Sequence, residues 1–164
     1  VVTASKDAPR AYRDNAGFAI ERNGSVAIIK KPADGWKRSD EHSTILSSGP
    51  LLVWNGEGVP QVPEKFNTNR HPRTAVGLTK RNQIIAVVAD GRSSEAHGMT
   101  TAELAQVMRA LGCVEAMNLD GGGSSTAWVK GQPFNGVVNF PSDNKKFDHE
   151  GERAVANCIV FIPK

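Results

Sequence analysis

The sequence Gln83-Ile84-Ile85-Ala86-Val87-Val88-Ala89 is, after its first residue, a continuous apolar run dominated by β-branched residues. Such a run predicts a β-strand that is buried on both faces, because a strand with one solvated face alternates apolar and polar side chains. The run ends at Asp90-Gly91-Arg92, where an acid and a glycine follow the last apolar residue. We therefore expect an acidic turn at the end of a central strand.

A helix and a further strand follow this run. Thr100-Thr101-Ala102-Glu103 matches a capping box, and the apolar residues from Leu104 to Leu111 recur at the spacing of one helical face. Gly112 stands where a C-terminal glycine cap belongs, and residues 114–119 are again strand-like. Strand, helix and strand make a βαβ unit with parallel strands. The predicted fold is mixed α/β (α+β), a strand-rich sheet with a central βαβ unit and a flanking helix.

The second strand of this unit leads into Asp120-Gly121-Gly122-Gly123-Ser124-Ser125. Glycine runs allow turns closed to other residues, and their exposed N–H groups can cradle an anion. Asp90 and Asp120 each follow a strand of the βαβ unit, so both are expected at the edge of the sheet where ligands usually bind. If the strands are adjacent, the two carboxylates lie roughly 5–10 Å apart, as in paired glycosidase acids. The alternatives are a tight turn with a solvated Asp120, and an Asp90 that caps its loop or pairs with Arg92 or Arg73.

Shorter strands are predicted on both sides of the central unit. Two of them flank the turn Asn23-Gly24, which favours a β-hairpin. The predicted strands and extended pieces cover residues 17–20, 26–29, 45–54 (bent at Gly49-Pro50), 71–78, 126–129, 136–140 and 154–162, the last one well inside the sheet. Residues 1–15 are polar and are expected to be irregular. No domain boundary is evident, so residues 1–164 are taken as one domain.

The composition is that of a soluble globular domain. The chain has 164 residues, 39% of them hydrophobic and 23% charged, with a net charge of +3. Its basic residues are scattered pairs, which predicts no nucleic-acid partner, and no apolar run is long enough to span a membrane. Cys113 and Cys158 both lie in apolar surroundings, which favours two buried thiols, although a disulfide stays open if the protein is exported.

Several motifs, in order along the chain, together resemble the C-terminal portion of the phosphodiester glycosidase family. They are Ser48-Gly49-Pro50-Leu51-Leu52, His71-Pro72-Arg73-Thr74-Ala75-Val76-Gly77, Asp90-Gly91-Arg92, Gly98-Met99-Thr100 with Glu103-Leu104, Asn118 to Ser125, Asn139-x-Pro141-Ser142-Asp143 and Glu152-Arg153-x-Val155-x-Asn157. The resemblance covers roughly residues 45–160, and its specificity comes from the order of the motifs.

The resemblance implies an enzyme, a hydrolase that cleaves a sugar-1-phosphodiester such as one of N-acetylglucosamine at the glycosidic C–O bond. Asp120 is the first choice for nucleophile or general base and Asp90 the second, while His71 either shuttles a proton or positions Arg73. Arg73, Arg92, Arg153, the Gly122 and Gly123 N–H groups and the Ser124 hydroxyl are assigned to the anion, and Asn118, Asn139 and Asp143 to sugar hydroxyls. The substrate-binding set is completed by Thr74, Gly121, Ser125, Ser142 and Glu152.

The resemblance also bears on completeness, cofactors and location. The family has an Asn-Gly-Gly-Phe-Phe-like motif upstream, which Asn15-Ala16-Gly17-Phe18 matches only in part. We therefore expect the chain to be the C-terminal part of a larger domain, with the missing N-terminal segment of the same gene product as a partner. No cofactor is expected, since the acidic residues permit Ca²⁺ or Mg²⁺ but show no convincing ligand spacing. By analogy, the location is extracytoplasmic. Two alternatives remain: a non-catalytic carbohydrate or cell-envelope binding module, and a metal-dependent phosphodiesterase.

Overall fold

The computed structural model describes residues 2–3, 11–37 and 41–163, and it shows a mixed fold that is mostly β-strand. The strands are β1 (Val2–Thr3), β2 (Ala16–Glu21), β3 (Val26–Lys30), β4 (His42–Ser48), β5 (Leu51–Trp54), β6 (Glu57–Gly58), β7 (Arg73–Thr79), β8 (Ile84–Ala89) and β9 (Cys113–Asn118). The helices are α1 (Lys65–Thr68) and α2 (Thr101–Ala110), and short 3₁₀ turns cover Ala11–Arg13, Gly122–Ser124 and Phe134–Gly136.

The first sheet has the strand order β1-β4-β2-β3. Its centre is the antiparallel hairpin of β2 and β3 that the turn at Asn23-Gly24 predicted. Gly24 has a φ of +86°, a left-handed conformation that glycine adopts without a steric penalty. Part of the region expected to be irregular is regular instead, because β1 pairs with β4 in parallel. The rest of the segment 1–10 lies outside the described residues.

The second sheet has the order β6-β5-β9-β7-β8, and its neighbouring strands are antiparallel. The bent strand predicted over residues 45–54 is in fact two strands in different sheets. A cis peptide bond between Gly49 and Pro50 lies between β4 and β5, so the chain leaves one sheet there and enters the other. Asn55 and Gly56, both at positive φ, then turn the chain from β5 into β6.

The two strands of the predicted βαβ unit are not adjacent. Both β8 and β9 are antiparallel to β7, so they run in the same direction with β7 between them. The helix between them is as predicted: Thr100 caps α2 through a complete capping box with Glu103, and Gly112 follows its end at a φ of +86°. The strand β8 is the outermost strand of the sheet, and its side chains are half-buried or exposed. The prediction that this strand is buried on both faces was therefore wrong. Composition indicated a strand but not its place in the sheet.

The second sheet is the middle layer of three, with α2 on one face and the first sheet on the other. The core under the helix contains Leu52, Val53, Ala75, Leu104, Ala105, Met108, Cys113 and Ala116. The core between the sheets contains Ala16, Phe18, Ile28, Leu51, Val76, Leu78 and Met117. Neighbouring side chains on β7 and β9 point into opposite cores, as Ala75 and Val76 do, so the second sheet is covered on both faces.

The strand expected over residues 154–162 does not form, and the segment carries no regular structure. Ile159 packs against the core between the sheets, whereas Val155, Val160, Phe161 and Ile162 are exposed. The extended pieces at 126–129 and 136–140 are likewise reduced to one bridge, between Trp128 and Val137. High β-propensity marks these segments, but a strand also needs a neighbouring edge to pair with.

The two cysteines differ in environment. Cys113 is buried under α2, and burial raises the pKa of its thiol, whereas Cys158 is exposed. The expectation of two buried thiols therefore holds for one of them, and both thiols are free. Across the ranges that the structure describes, no helix is long and apolar enough to cross a membrane.

Candidate active site

Three strand ends meet at one edge of the second sheet. Ala89, the last residue of β8, is opposite Arg73, the first residue of β7, and Asn118 at the end of β9 is opposite Ala75. Asp90 and Asp120 therefore lie on either side of the start of β7 and are not next to each other. With one strand between them, the strands that carry the two acids are separated by roughly 10 Å.

The three glycines Gly121, Gly122 and Gly123, which we call the triglycine turn, pack directly against the start of β7. The Gly122 N–H donates a hydrogen bond of 2.9 Å to the carbonyl oxygen of Pro72, and a methyl group on Gly121 would fall 2.8 Å from the same oxygen. Only glycine permits this close approach of two backbones. The Gly122 N–H, expected to bind the anion, is thus occupied by the protein itself.

Asp120 lies in a network of charged and hydroxyl groups. The Ser124 hydroxyl donates to its Oδ2 at 2.7 Å, and the Arg153 guanidinium donates to Ser124 Oγ at 2.6 Å. The same guanidinium lies 3.7 Å from Asp120 Oδ2 and 3.5 Å from Asp143 Oδ2. Arg153, expected to bind the anion, instead bridges two carboxylates. Asp143, expected to bind sugar, becomes the second acid beside Asp120, and the Asp120 side chain is 79% exposed.

Asp90 holds a loop in place. Its Oδ1 accepts hydrogen bonds from Asn139 Nδ2 at 2.8 Å and from the Phe140 N–H at 3.1 Å. Asn139 also donates to the Ser125 carbonyl oxygen and accepts from the Ala127 N–H, so both of its amide donors and one acceptor position are used inside the protein. Asp90 therefore positions the loop after Asn139, and Asn139, expected to bind a sugar hydroxyl, is buried with its amide directed to internal partners.

The remaining polar residues beside the turn point into the protein. Asn118 is fully buried, and its amide donates to the carbonyl oxygens of Gly49 and Leu119. Ser125 is buried as well, and its hydroxyl accepts a hydrogen bond of 3.2 Å from Thr74. These residues fix the ends of β5, β7 and β9 relative to one another, so they support the site from beneath.

Two further candidates lie in the loop after Asn139. Ser142 has a buried hydroxyl without a hydrogen-bond partner among the described residues, and Glu152 is exposed. The structure shows neither of them in contact with Asp120. Their assignment to substrate binding stays a prediction.

Arg73 is the most deeply buried charged side chain of the described residues. Its guanidinium donates to the carbonyl oxygens of Met99 at 2.9 Å and Asn69 at 3.1 Å, and also to that of Phe66. Burial, and then the nearby charges of Arg13 and Arg92, lower the pKa of Arg73 to about 10. Arg73 was expected to touch the anion, but it connects the surrounding loops and adds positive charge from below.

Arg92 is presented to the solvent beside the triglycine turn. It adopts a φ of +66°, which is uncommon for a residue other than glycine and is typical of functional sites. A methyl group on Gly122 would fall 2.9 Å from Arg92 Nη2, so the guanidinium rests on that glycine. Within the described ranges its guanidinium has neither an ion pair nor a hydrogen bond. An unpaired cation held in this way is available to an anion.

Arg13 was missed by the sequence analysis. Its guanidinium lies 4.0 Å above the Phe66 ring, and the Arg73 guanidinium is 4.8 Å from the same ring. Arg13 belongs to the segment expected to be irregular, and no local pattern marks it as functional. Only the tertiary fold brings it to the site.

These cations surround His71. Burial first, and then the charges of Arg73, Arg92 and Arg13, lower the pKa of its imidazole, so it is neutral at pH 7. Arg73 is held by backbone carbonyls, so the structure gives no support for His71 as the residue that positions it. The site thus has a cationic side, formed by Arg13, Arg92 and the buried Arg73 around the neutral His71, and an acidic side, formed by Asp120 and Asp143. The triglycine turn lies between Arg92 and Asp143.

The acidic side does not form a metal centre in the part of the chain that the structure describes. No group of three or more His, Cys, Asp or Glu side chains there is arranged to hold a metal ion. The two carboxylates share a guanidinium instead.

Comparison with known proteins places this arrangement in a family. The chain is 39% identical over 151 residues to mouse N-acetylglucosamine-1-phosphodiester alpha-N-acetylglucosaminidase, a match that covers 79% of the chain and 27% of the mouse protein. It resembles the catalytic domain of the zebrafish enzyme of that name, auto-inhibited by its pro-peptide, with a TM-score of 0.62 and 26% identity. That match covers 79% of the chain and 45% of the zebrafish structure.

A third match is a Burkholderia pseudomallei protein inferred to be exported, with a TM-score of 0.54 and 27% identity over 72% of the chain and 27% of that protein. The chain spans only about a quarter of the length of the mouse relative. The family model for phosphodiester glycosidases matches residues 2–162, well beyond the segment 45–160 on which the resemblance in sequence was based. The chain therefore belongs to the phosphodiester glycosidase family.

Proposed function

We propose that this protein hydrolyses a sugar-1-phosphodiester at the glycosidic C–O bond and releases the sugar and a phosphomonoester. One observation carries the proposal: a cluster of arginines without carboxylate partners among the described residues faces a pair of carboxylates across a glycine turn. Hydrolysis of a glycosyl phosphodiester needs both sides of the site. Positive charge binds the phosphate, and a carboxylate attacks the sugar carbon or activates the water that does. The name of the mouse relative favours N-acetylglucosamine as the sugar.

On the acidic side, Asp120 acts as the nucleophile or as the base that activates water. Its carboxylate is exposed, and the Ser124 hydroxyl and the Arg153 guanidinium orient it. Asp143 is the second carboxylate at the bond that breaks, a role that paired acids fill in glycosidases. Asp90, the second choice from the sequence, instead holds the loop after Asn139.

On the cationic side, Arg92 and Arg13 bind the phosphate, and the buried Arg73 strengthens the positive field. A phosphate leaving group needs little protonation, so a strong general acid is unnecessary. The neutral His71 suits this chemistry, because the phosphate leaves as a dianion that needs no proton from it, and the imidazole can accept a proton from the attacking water. Fixed cations also stabilise the negative charge that grows on the phosphate as the C–O bond breaks.

The proposal extends to where the reaction takes place and to what completes the site. We place the protein outside the cytoplasm, in line with the inferred export of the Burkholderia pseudomallei neighbour. We also propose that an N-terminal segment of the same gene product completes the substrate site, because the chain spans only about a quarter of the length of the mouse relative.

The decisive experiment is hydrolysis of an N-acetylglucosamine-1-phosphodiester in water labelled with ¹⁸O, using this chain and the full gene product. Label in the released sugar is expected, because the sugar carbon is the site of attack. Asp120→Asn should lower kcat at least about 1,000-fold with an unchanged melting temperature. Asp34→Asn, an equally simple change at another exposed acid, should leave kcat unchanged.

Other outcomes would overturn the proposal in distinct ways. Label in the phosphate together with loss of turnover in chelator would identify a metal-dependent phosphodiesterase. Saccharide binding without turnover in either form of the protein would identify a carbohydrate-binding module.

A further inference from the structure

The Phe66 ring lies against two cations of the candidate site. Its centroid is 4.0 Å from the guanidinium carbon of Arg13 and 4.8 Å from that of Arg73. The Tyr12 ring lies on another side of Arg13, with its centroid 5.4 Å from the same carbon and 6.4 Å from the centroid of Phe66. These distances place the Arg13 guanidinium in the angle between two aromatic rings.

Phe66 is itself held in place by the elements around it. It is a half-buried residue of α1, and its carbonyl oxygen accepts a hydrogen bond from Arg73. The next residue, Asn67, is buried and donates to the Val62 carbonyl oxygen at 2.9 Å. The carbonyl oxygen of Asn67 accepts from the hydroxyl of Thr101 in α2 at 3.5 Å. The ring is therefore fixed relative to both α2 and the start of β7.

The two arginines depend on the Phe66 ring to different degrees. The Arg73 guanidinium donates to three carbonyl oxygens, which hold it whether or not the ring is there. Within the ranges that the structure describes, Arg13 has one side-chain hydrogen bond, from its Nε to the Tyr12 hydroxyl at 3.1 Å, and no ion pair. The like charge of Arg73 also repels it. The position of Arg13 therefore depends on the two rings, of which Phe66 is the nearer.

An aromatic ring supports a cation in a different way from a carboxylate. A carboxylate neutralises a guanidinium and occupies its fork of N–H groups. The face of a ring attracts the cation through its quadrupole but carries no net charge. The Arg13 guanidinium is thus held while its charge and its terminal N–H groups stay available to an anion.

We propose that Phe66 is a positioning residue that holds the Arg13 guanidinium in place for the substrate phosphate, although its ring does not touch the substrate. This inference rests on the proposed function, in which Arg13 and Arg92 bind that phosphate. Loss of one cation–π contact weakens an interaction about three- to ten-fold. Phe66 therefore contributes to the phosphate affinity of the site, and it does so through Arg13.

The first test measures binding of methyl phosphate by calorimetry. Phe66→Leu keeps an apolar side chain but removes the ring, so it should raise the Kd about three- to ten-fold. Phe66→Tyr keeps the ring and should bind within about two-fold of the wild-type protein. Phe161→Leu is the control, because it removes an exposed ring on the C-terminal segment, and its Kd should not change. An unchanged Kd in Phe66→Leu, or an equal loss in Phe66→Tyr, would overturn the inference.

The imidazole of His71 gives a second measurement that a merely structural role of Phe66 would not explain. Burial first, and then the charges of Arg73, Arg92 and Arg13, lower the pKa of His71. If Arg13 moves away, that pKa should rise, which NMR can follow. Phe66→Leu and Arg13→Gln should each raise it, and the double variant should raise it no further than Arg13→Gln alone. A further rise in the double variant would show that Phe66 acts without Arg13 and would overturn the inference.

These measurements separate the inference from the proposed reaction. Weaker methyl phosphate binding in Phe66→Leu, with recovery in Phe66→Tyr, supports the inference even if no diester is hydrolysed. Hydrolysis of a sugar-1-phosphodiester together with an unchanged Kd in Phe66→Leu overturns the inference and leaves the proposed function standing. If Phe66→Leu does not fold, the wild-type protein still decides. Its Arg13 side-chain protons should show the upfield NMR shifts of groups over a ring, and ordinary shifts would overturn the inference.

Discussion

Replacement of Gly123 by alanine should disable the site without unfolding the protein. A methyl carbon on Gly123 would fall 1.7 Å from Asp143 Oδ1, far inside ordinary contact. The carboxylate must therefore retreat by about 1.5 Å or more. Gly123 is not in the left-handed region, so alanine adds no backbone strain, and the Asp143 side chain is 34% exposed and can move toward water. We expect a loss of stability below about 1 kcal/mol.

The same displacement should be costly for catalysis. Misplacement of a reacting group by about 1 Å can reduce the rate about 100-fold, so kcat/KM for the sugar-1-phosphodiester should fall by about that factor in Gly123→Ala. The assay measures kcat/KM together with the melting temperature. Gly58→Ala is the control, because a methyl group there meets no atom closer than 3.9 Å.

A double variant shows whether the effect passes through Asp143. In an Asp143→Ala background the clashing carboxylate is gone, so Gly123→Ala should have little further effect on kcat/KM. Wild-type kcat/KM in Gly123→Ala would refute the reasoning. So would full additivity of the two changes, because then Gly123 would act by another route.

Three further outcomes test other parts of the structure. Gly98 and Gly112 have nearly the same φ, +85° and +86°. A methyl group on Gly98 would fall 2.4 Å from the backbone oxygen of His71. A methyl group on Gly112 would meet no atom within 4 Å. Gly98→Ala should therefore lower the free energy of unfolding by about 3 kcal/mol or more, which is a loss of roughly 6–12 °C in melting temperature. Gly112→Ala should lower it by about 1 kcal/mol, or roughly 2–4 °C. Equal losses in the two variants would contradict the clash at Gly98. Burial raises the pKa of Glu115, although the Ile28 N–H partly offsets this, so ionisation of Glu115 weakens the fold as pH rises. Glu115→Gln should raise the melting temperature at pH 7 and lose that advantage at pH 4, and a gain independent of pH would contradict the assignment. Phosphate binding should raise the lowered pKa of His71, followed by NMR, because the anion offsets the neighbouring arginines, and an unchanged pKa would place the anion elsewhere.

The parts of the fold that could be predicted from sequence are those that local chemistry determines. Thr100 and Glu103 satisfy each other's backbone groups, so the start of α2 could be recognised from four residues. The hairpin of β2 and β3 follows in the same way from the left-handed preference of Gly24. The order of strands depends on pairing between distant segments. For that reason the sequence could not predict that β7 lies between β8 and β9. It also could not predict that residues 154–162 form no strand.

The candidate site shows the same limit. Asp120 was identified because a run of glycines follows it, and Arg92 because it follows Asp90 and Gly91 at the end of a strand. The sequence does not show which polar groups the protein uses for itself. Asn139 and Arg73 have side chains suited to a ligand, and the fold directs both to internal partners. Arg13 reaches the site from the opposite end of the chain, beyond the range of any local pattern.

The repulsion among Arg13, Arg73 and Arg92 has a consequence for the resting protein. Like charges held together without a counter-charge weaken the folded state, and a bound anion removes that penalty. The melting temperature therefore becomes a sensor of site occupancy that requires no knowledge of the natural substrate. An anion present at 100 times its Kd contributes about 2.7 kcal/mol, or roughly 5–11 °C for a chain of this size. Thermal shifts across a panel of phosphate esters would then rank candidate ligands before any reaction is known.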